Sequence, residues 1–244
     1  TGVRYGLDPY SPVDDRGRFT KDFAAFEGTL VFDANPGICD LLEAKGALVA
    51  KQDISHSYPH CWRSKTPIIF RATTQWFVSM EETGLRQRVL DEIRRVRWIP
   101  SWGAERISGM IASRPDWCIS RQRHWGVPIV ALHCTSCDAS VQTPELFAHV
   151  LPLFRQQGAD VWFDLSIEEL TPPDTTCPDC GGSTFKRETD ILDVWFDSGV
   201  SYAAVIEERY GPETMTDLYL EGSDQHRGWF HSALLESTLT RGHA

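Results

Sequence analysis

Four of the seven cysteines stand in two Cys-x-x-Cys pairs, Cys134-Thr135-Ser136-Cys137 and Cys177-Pro178-Asp179-Cys180. Four thiolates suit a tetrahedral zinc ion, and Gly181-Gly182 allows a tight turn that aims backbone N–H groups at sulfur. A closed four-cysteine site leaves no open coordination position, so the role expected of Cys134, Cys137, Cys177 and Cys180 is structural. A redox dithiol needs one exposed, acidic pair and leaves the second pair unexplained. His133 adjoins Cys134 but is surplus to four ligands. The 39 residues between the pairs exceed the roughly 15–20 of a zinc ribbon. They are predicted to hold a helix over 144–157 and a strand over 159–165, which makes the interval a small inserted subdomain.

The second chemical stretch is Leu220-Glu221-Gly222-Ser223-Asp224-Gln225-His226-Arg227-Gly228-Trp229-Phe230. Two carboxylates, an amide and an imidazole within six residues are costly to crowd together without a polar ligand. The apolar run 215–220 predicts a buried strand before this stretch. The spacing of Trp229, Phe230, Ala233, Leu234, Leu235 and Leu239 predicts an amphipathic helix after it, ending near Gly242. In an open α/β sheet, ligands sit where a strand ends and a helix N-terminus begins. The bland alternative is a solvated turn with Ser223 or Asp224 as N-cap.

The elements that must position these residues belong to a globular chain. Its 244 residues are 41% hydrophobic and 24% charged, enough for one large domain or two smaller ones. No run approaches the ~18 apolar residues of a membrane span. The net charge of -10 argues against indiscriminate nucleic-acid binding through bulk charge. Between Gly84 and Trp125, however, nine arginines face four acids. Arg86 to Arg97 reads as a solvated helix face, whereas Arg121 and Arg123, beside Trp125, are placed to meet a phosphate backbone. Paired cysteines without a secretory signal imply a reducing cytoplasm. The start at Thr1-Gly2-Val3-Arg4 and the end at Ala244 read as cuts within a longer protein.

Residues 1 to 65 are turn-rich, with a β-prone piece at 29–32 and a helix predicted from Ile38 to Lys45, closed by Gly46. Asp14-Asp15-Arg16-Gly17 offers too few oxygens for a calcium loop and reads as a β-turn. His56, His60 and Cys61 lack the second cysteine of a zinc knuckle, the position being Ser64. Further on, 70–77 reads as strand or connector, helices are predicted over 76–96 and 104–113, and 116–129 reads as buried strand and loop. Asp160-Val161-Trp162-Phe163-Asp164 echoes Asp193-Val194-Trp195-Phe196-Asp197, but unrelated flanks make the echo a coincidence rather than a repeat.

Four long stretches in fixed order resemble the class I aminoacyl-tRNA synthetases, in their isoleucine-specific form: 58–63 with 70–77, 114–129, 190–199 and 220–230. The resemblance spans essentially the whole chain, with valine and leucine types as runners-up. It implies an α/β fold: a partial Rossmann-type catalytic domain, an inserted four-cysteine zinc subdomain and the C-terminal remnant of a β-rich editing domain. The implied bounds are 1–65 for the editing remnant, 66–131 and 189–244 for catalytic segments, and 132–188 for the zinc insertion.

The resemblance further implies that Glu221, Gly222 and Asp224 hold the adenylate ribose, that Gln225 orients the aminoacyl group, and that Trp195 and Trp229 wall the isoleucine side chain. Arg121, Arg123 and Trp125 are implied to lie near the acceptor end of tRNA(Ile). The implied substrates are L-isoleucine and ATP with magnesium, and no protein nucleophile is needed because positioning and charge stabilisation do the chemistry. The family's His-Ile-Gly-His and Lys-Met-Ser-Lys-Ser elements are not among these residues, so the chain alone is expected to be inactive. The rival from another class is a non-catalytic zinc-ribbon module that grips RNA.

Overall fold

The computed structural model describes residues 2–7 and 10–244. The chain forms two compact units, Thr1–Thr74 and Gln75–Ala244.

The first unit holds a single turn, α1 (Gly2–Tyr5), a 3-10 turn at Lys21–Phe26, and α2 (Asn35–Ala44). Helix α2 starts three residues before the predicted Ile38 because Pro36 is tolerated in a first turn, and Gly46 in the left-handed region (φ 65°) follows its end. Residues 29–32 form no strand; Leu30 makes one isolated bridge to Arg18. The Asp14 loop is the expected turn, its Oδ1 accepting the N–H groups of Arg16 (2.9 Å) and Arg18 (2.8 Å). Ala34 is the buried hydrophobic residue of this unit among those described, so most of its apolar side chains remain partly wet.

The second unit has two cores. In one, α3 (Leu85–Arg95), α4 (Trp102–Ala112) and α10 (Trp229–Thr240) enclose Met80, Leu85, Val89, Ile93, Ile107, Ile111, Leu234 and Leu235. The antiparallel pair β1 (Phe77–Val78) and β2 (Trp117–Cys118) lies beside it. The predicted helix 76–96 is thus a short strand, a turn and a shorter helix, because Gly84 takes a left-handed conformation (φ 65°) directly before α3.

A short antiparallel pair, β3 (Ser120–Arg121) with β7 (Ile191–Leu192), follows. The other core is the cysteine-bearing insert. Its strands β4 (Leu132–Cys134), β5 (Ser140–Val141) and β6 (Phe185–Arg187) are antiparallel in the order β5-β4-β6. Helices α5 (Pro144–Gln157), α6 (Val161–Asp164) and α7 (Ile167–Leu170) pack with them. Helix α5 has the predicted bounds, with Thr143 as N-cap accepting the Leu146 N–H and Gly158 after its end. The strand predicted over 159–165 is instead α6, where Trp162 is fully buried and donates to the Glu188 carbonyl at 2.9 Å.

Helix α8 (Val194–Gly199) leads into a π-helical stretch, Tyr202–Glu207, and α9 (Glu208–Tyr210). Residues 215–220 form no strand among the described residues, and Met215, Leu218 and Leu220 are exposed. Helix α10 departs from amphipathic expectation: His231 through Thr238 are all buried, with α8 on one side and α3 on another, whereas Leu239 is exposed. Among the described residues, no helix is long and apolar enough to cross a membrane.

Candidate adenylate turn and cysteine centre

Strand β4 and the turn after 134 bring one cysteine pair to meet the other, on the loop before β6. The Sγ atoms of Cys134, Cys137, Cys177 and Cys180 lie within 4.8 Å of one another, with Cys134–Cys180 at 3.5 Å and Cys137–Cys177 at 3.6 Å. The backbone N–H groups of Ser136 and then Cys137 lower the Cys134 thiol to about 6. The Cys137 thiol is pushed up to about 12: the Ala139 N–H works to lower it, but the sulfurs of Cys180, Cys177 and Cys134 outweigh that help. Four sulfurs this close repel one another as thiolates unless a cation sits among them. Gly182 completes the cradle, since a Cβ there would stand 3.2 Å from the Cys134 sulfur and 3.3 Å from that of Cys180. The donor set fits a metal ion.

His133 is not one of the four clustered ligands. Its Nε2 faces Glu188 Oε2 at 3.0 Å. Glu188 also accepts from Trp76 Nε1 (2.8 Å) and from the N–H groups of Thr189 and Asp190, so one carboxylate ties the insert to the strands beside it.

Between β2, the start of α8 and the start of α10 lies a cleft of about 340 Å³, lined among others by Arg114, Arg121, Asp193, Trp195, Arg227 and His231. Asp193 organises it. Its carboxylate accepts from Arg121 Nη2 (2.7 Å) and Trp117 Nε1 (3.3 Å) and caps α8 through the Trp195 N–H (3.4 Å). Burial and the cations of Arg114 and Arg227 hold His231 down at about 4. Burial likewise lowers the Arg114 pKa, opposed by Asp193. The cleft therefore presents arginine charge beside an aromatic wall, chemistry that suits an anionic ligand with an apolar or planar part.

The stretch 221–229 forms a 3-10 turn, Ser223–Arg227, ahead of α10. Neither Ser223 nor Asp224 caps α10; the Gln225 carboxamide oxygen accepts the Trp229 N–H at 2.9 Å. The Gln225 amide donates to Asp224 Oδ2 at 3.2 Å, and Glu221 Oε1 accepts the Gly222 N–H at 2.8 Å. Trp195 lies flush on Gly228, where a Cβ would stand 3.0 Å from the indole and 2.4 Å from Gln225 Oε1. So Trp195 and Gln225 converge around Gly228. Glu221, Gly222 and Asp224 are exposed at the outer end of the turn, and they do not line the cleft. Trp229 donates to Ser198 O (3.0 Å) and Ser201 Oγ (3.1 Å), and its ring lies against that of Tyr219 at 4.3 Å, tilted by 33°.

Of the residues expected to approach RNA, Arg121 is engaged by Asp193 and by the carbonyls of Cys118 and Ser120. Arg123 is exposed and Trp125 is 91% exposed, both on the loop after β3. Sequence reasoning gave no role to Asp193, Arg114 or His231. The signal for Asp193 was present: an Asp directly before an apolar helical run is an N-cap.

The model of the tRNA synthetases class I (I, L, M and V) matches residues 14–244. The isoleucine–tRNA ligase of Geobacter sulfurreducens is 58% identical over 237 residues, 97% of this chain and 26% of that protein. Those of Nitratidesulfovibrio vulgaris and Moorella thermoacetica are 56% and 53% identical, over 99% and 100% of the chain and again 26% of each relative. The chain therefore spans about a quarter of the length of these curated relatives. With the match running over all but its first 13 residues, the chain belongs to the class I tRNA synthetases.

Proposed function

We propose that this chain is the segment of an isoleucine–tRNA ligase that supplies one wall of the amino-acid-activating site. The observation that carries the reading is the convergence of Trp195 and Gln225 on Gly228, beside a cleft with arginine charge, in a chain 58% identical to a protein named for that activity.

In the proposed reaction the isoleucine carboxylate attacks the α-phosphate of ATP, bound with magnesium, and displaces pyrophosphate; a terminal ribose hydroxyl of tRNA(Ile) then takes the isoleucyl group from the adenylate, releasing AMP. Trp195 and Trp229 form the flat apolar walls for the side chain. Gln225, fixed at both ends of its amide, orients the aminoacyl moiety. Glu221 and Asp224 accept from the ribose hydroxyls, because ionised carboxylates suit a vicinal diol, and the Gly222 backbone lies against the sugar. Catalysis comes from placing the two reactants and stabilising charge, without a protein nucleophile.

Cys134, Cys137, Cys177 and Cys180 would hold zinc, which supplies structural cross-linking of the insert and no step of the reaction. Arg121, Arg123 and Trp125 are assigned to the acceptor end of the tRNA. By domain, residues 1–65 are assigned to the editing remnant, 66–131 and 189–244 to the catalytic fold, and 132–188 to the zinc insertion. The setting is a reducing cytoplasm. The test is adenylate formation by the full-length protein with isoleucine against valine. Loss of activity in Asp224→Asn and Trp195→Ala variants that keep their melting temperature supports the assignment, and unaltered activity in both contradicts it.

A further inference from the structure

His226 lies inside the proposed adenylate turn, yet it is only 5% exposed. Its ring packs against two indoles of the α3–α4 hairpin, 5.8 Å from Trp98 and 5.7 Å from Trp102, and meets Phe230 edge-on at 5.5 Å. Trp98 is itself fixed to the end of α3 by donating to the Ile93 carbonyl at 2.9 Å. On the other side, His226 Nδ1 meets the Ser223 carbonyl at 2.7 Å. A carbonyl oxygen only accepts, so Nδ1 carries the proton. Nε2 is buried and has no hydrogen-bond partner among the described residues. It points at α4, where a Cβ on Gly103 would stand 2.9 Å away.

We infer that His226 is a positioning residue for the activation reaction: it locks the 223–227 turn to the α3–α4 hairpin and so sets where Asp224 and Gln225 present their side chains. This rests on the roles proposed for those two residues. The Nδ1–H bond closes the turn from inside, the two indoles fix the plane of the ring, and glycine at 103 permits the approach.

The chemistry gives an asymmetric test in the full-length protein. Asparagine places an amide N–H near the Nδ1 position, whereas glutamine, closer to histidine in volume, places it near Nε2 and leaves the Ser223 carbonyl without a donor. His226→Asn is expected to keep the KM for ATP and isoleucine within about threefold of the parent, and His226→Gln to raise both about tenfold with kcat little changed. Gly103→Ala, whose Cβ would press on this ring at 2.9 Å and on the Trp98 indole at 3.1 Å, is expected to move KM in the same direction.

Hydrogen exchange of the Gln225 and Gly228 amides, which close the turn through the Gly222 and Gln225 carbonyls, is expected to quicken in His226→Gln and Gly103→Ala but not in His226→Asn. Equal losses in the Asn and Gln variants, or unchanged exchange and KM in both His226→Gln and Gly103→Ala, would overturn the inference. If His226→Gln does not fold, the Gly103→Ala and His226→Asn pair decides it. A parent protein without isoleucine-dependent activity would refute the proposed function alone, since the exchange pattern still reads the lock.

Discussion

Gln225 Oε1 accepts the Trp229 backbone N–H at 2.9 Å while its amide donates to Asp224 Oδ2 at 3.2 Å. One side chain thus joins the start of α10 to the carboxylate assigned to ribose. Gln225→Glu keeps the acceptor and loses the donor, placing a second negative charge beside Asp224. We expect it to retain the melting temperature within a few degrees yet lose most adenylate formation, whereas Gln225→Ala also loses about 1 kcal/mol of stability. Thermal denaturation read beside ATP–pyrophosphate exchange separates the two effects.

The four clustered sulfurs predict one zinc per chain, measurable by elemental analysis of the purified protein. Cys177→Ser is expected to lower occupancy and to expose the 132–188 insert to proteolysis, since Cys177 also lies in the insert's core. Full reactivity of all seven cysteines toward a thiol reagent in zinc-containing buffer would argue against the site.

Two buried groups on α10 set opposite pH limbs. Burial, with Asp197 nearby, raises Glu236 from 4.5 to about 9. A raised folded value means its contribution is intact below 4.5 and is lost progressively as pH rises through 9. Glu236→Gln should therefore gain stability over the parent between those limits, on the order of 1–2 kcal/mol at pH 8, and converge with it near pH 4.5. His231 is depressed from 6.5 to about 4, so its contribution is intact above 6.5 and lost as pH falls toward 4. His231→Gln should flatten that acid limb. Urea unfolding at several pH values reads both slopes.

The arginines of α3 divide by what they reach. Arg86 donates to the Ile111 and Arg114 carbonyls at the end of α4, and Arg88 to the Thr238 carbonyl of α10. Cations that satisfy the last carbonyls of a helix stabilise it. Arg94 instead pairs with Asp91 at the surface. We expect Arg86→Leu to cost about 1–2 kcal/mol and Arg94→Leu less than about 0.5 kcal/mol, measured by chemical denaturation.

That contrast also marks how far the sequence was legible. The spacing around Arg86 reads as one solvated face, and surface pairs such as Arg94–Asp91 agree. Which arginine turns inward depends on helices that arrive 25 and 150 residues later, and no local pattern carries that. Helix α5 was readable to its ends because Thr143, Pro144 and Gly158 are local stop and start chemistry.

The twin pentapeptides show the same limit. Asp160 and Asp193 both precede short helices, yet Trp162 is fully buried and Trp195 is 43% exposed beside the cleft. Identical residues took opposite environments because the packing partners differ. The cysteine cluster was legible from spacing alone, as thiolates at two fixed intervals have few other uses. The glutamine cap on α10 was not, because Ser223 and Asp224 are the commoner cap types and stood closer to expectation.

The central claim is tested most directly by amino-acid-dependent ATP–pyrophosphate exchange in the full-length protein, run with isoleucine, valine and leucine in parallel. We expect exchange with isoleucine, favoured over valine by about 100-fold in kcat/KM, as one methylene in an apolar pocket allows, and none from the 244-residue chain by itself. Robust exchange by that chain alone, or a full-length protein that prefers valine or leucine, would contradict it.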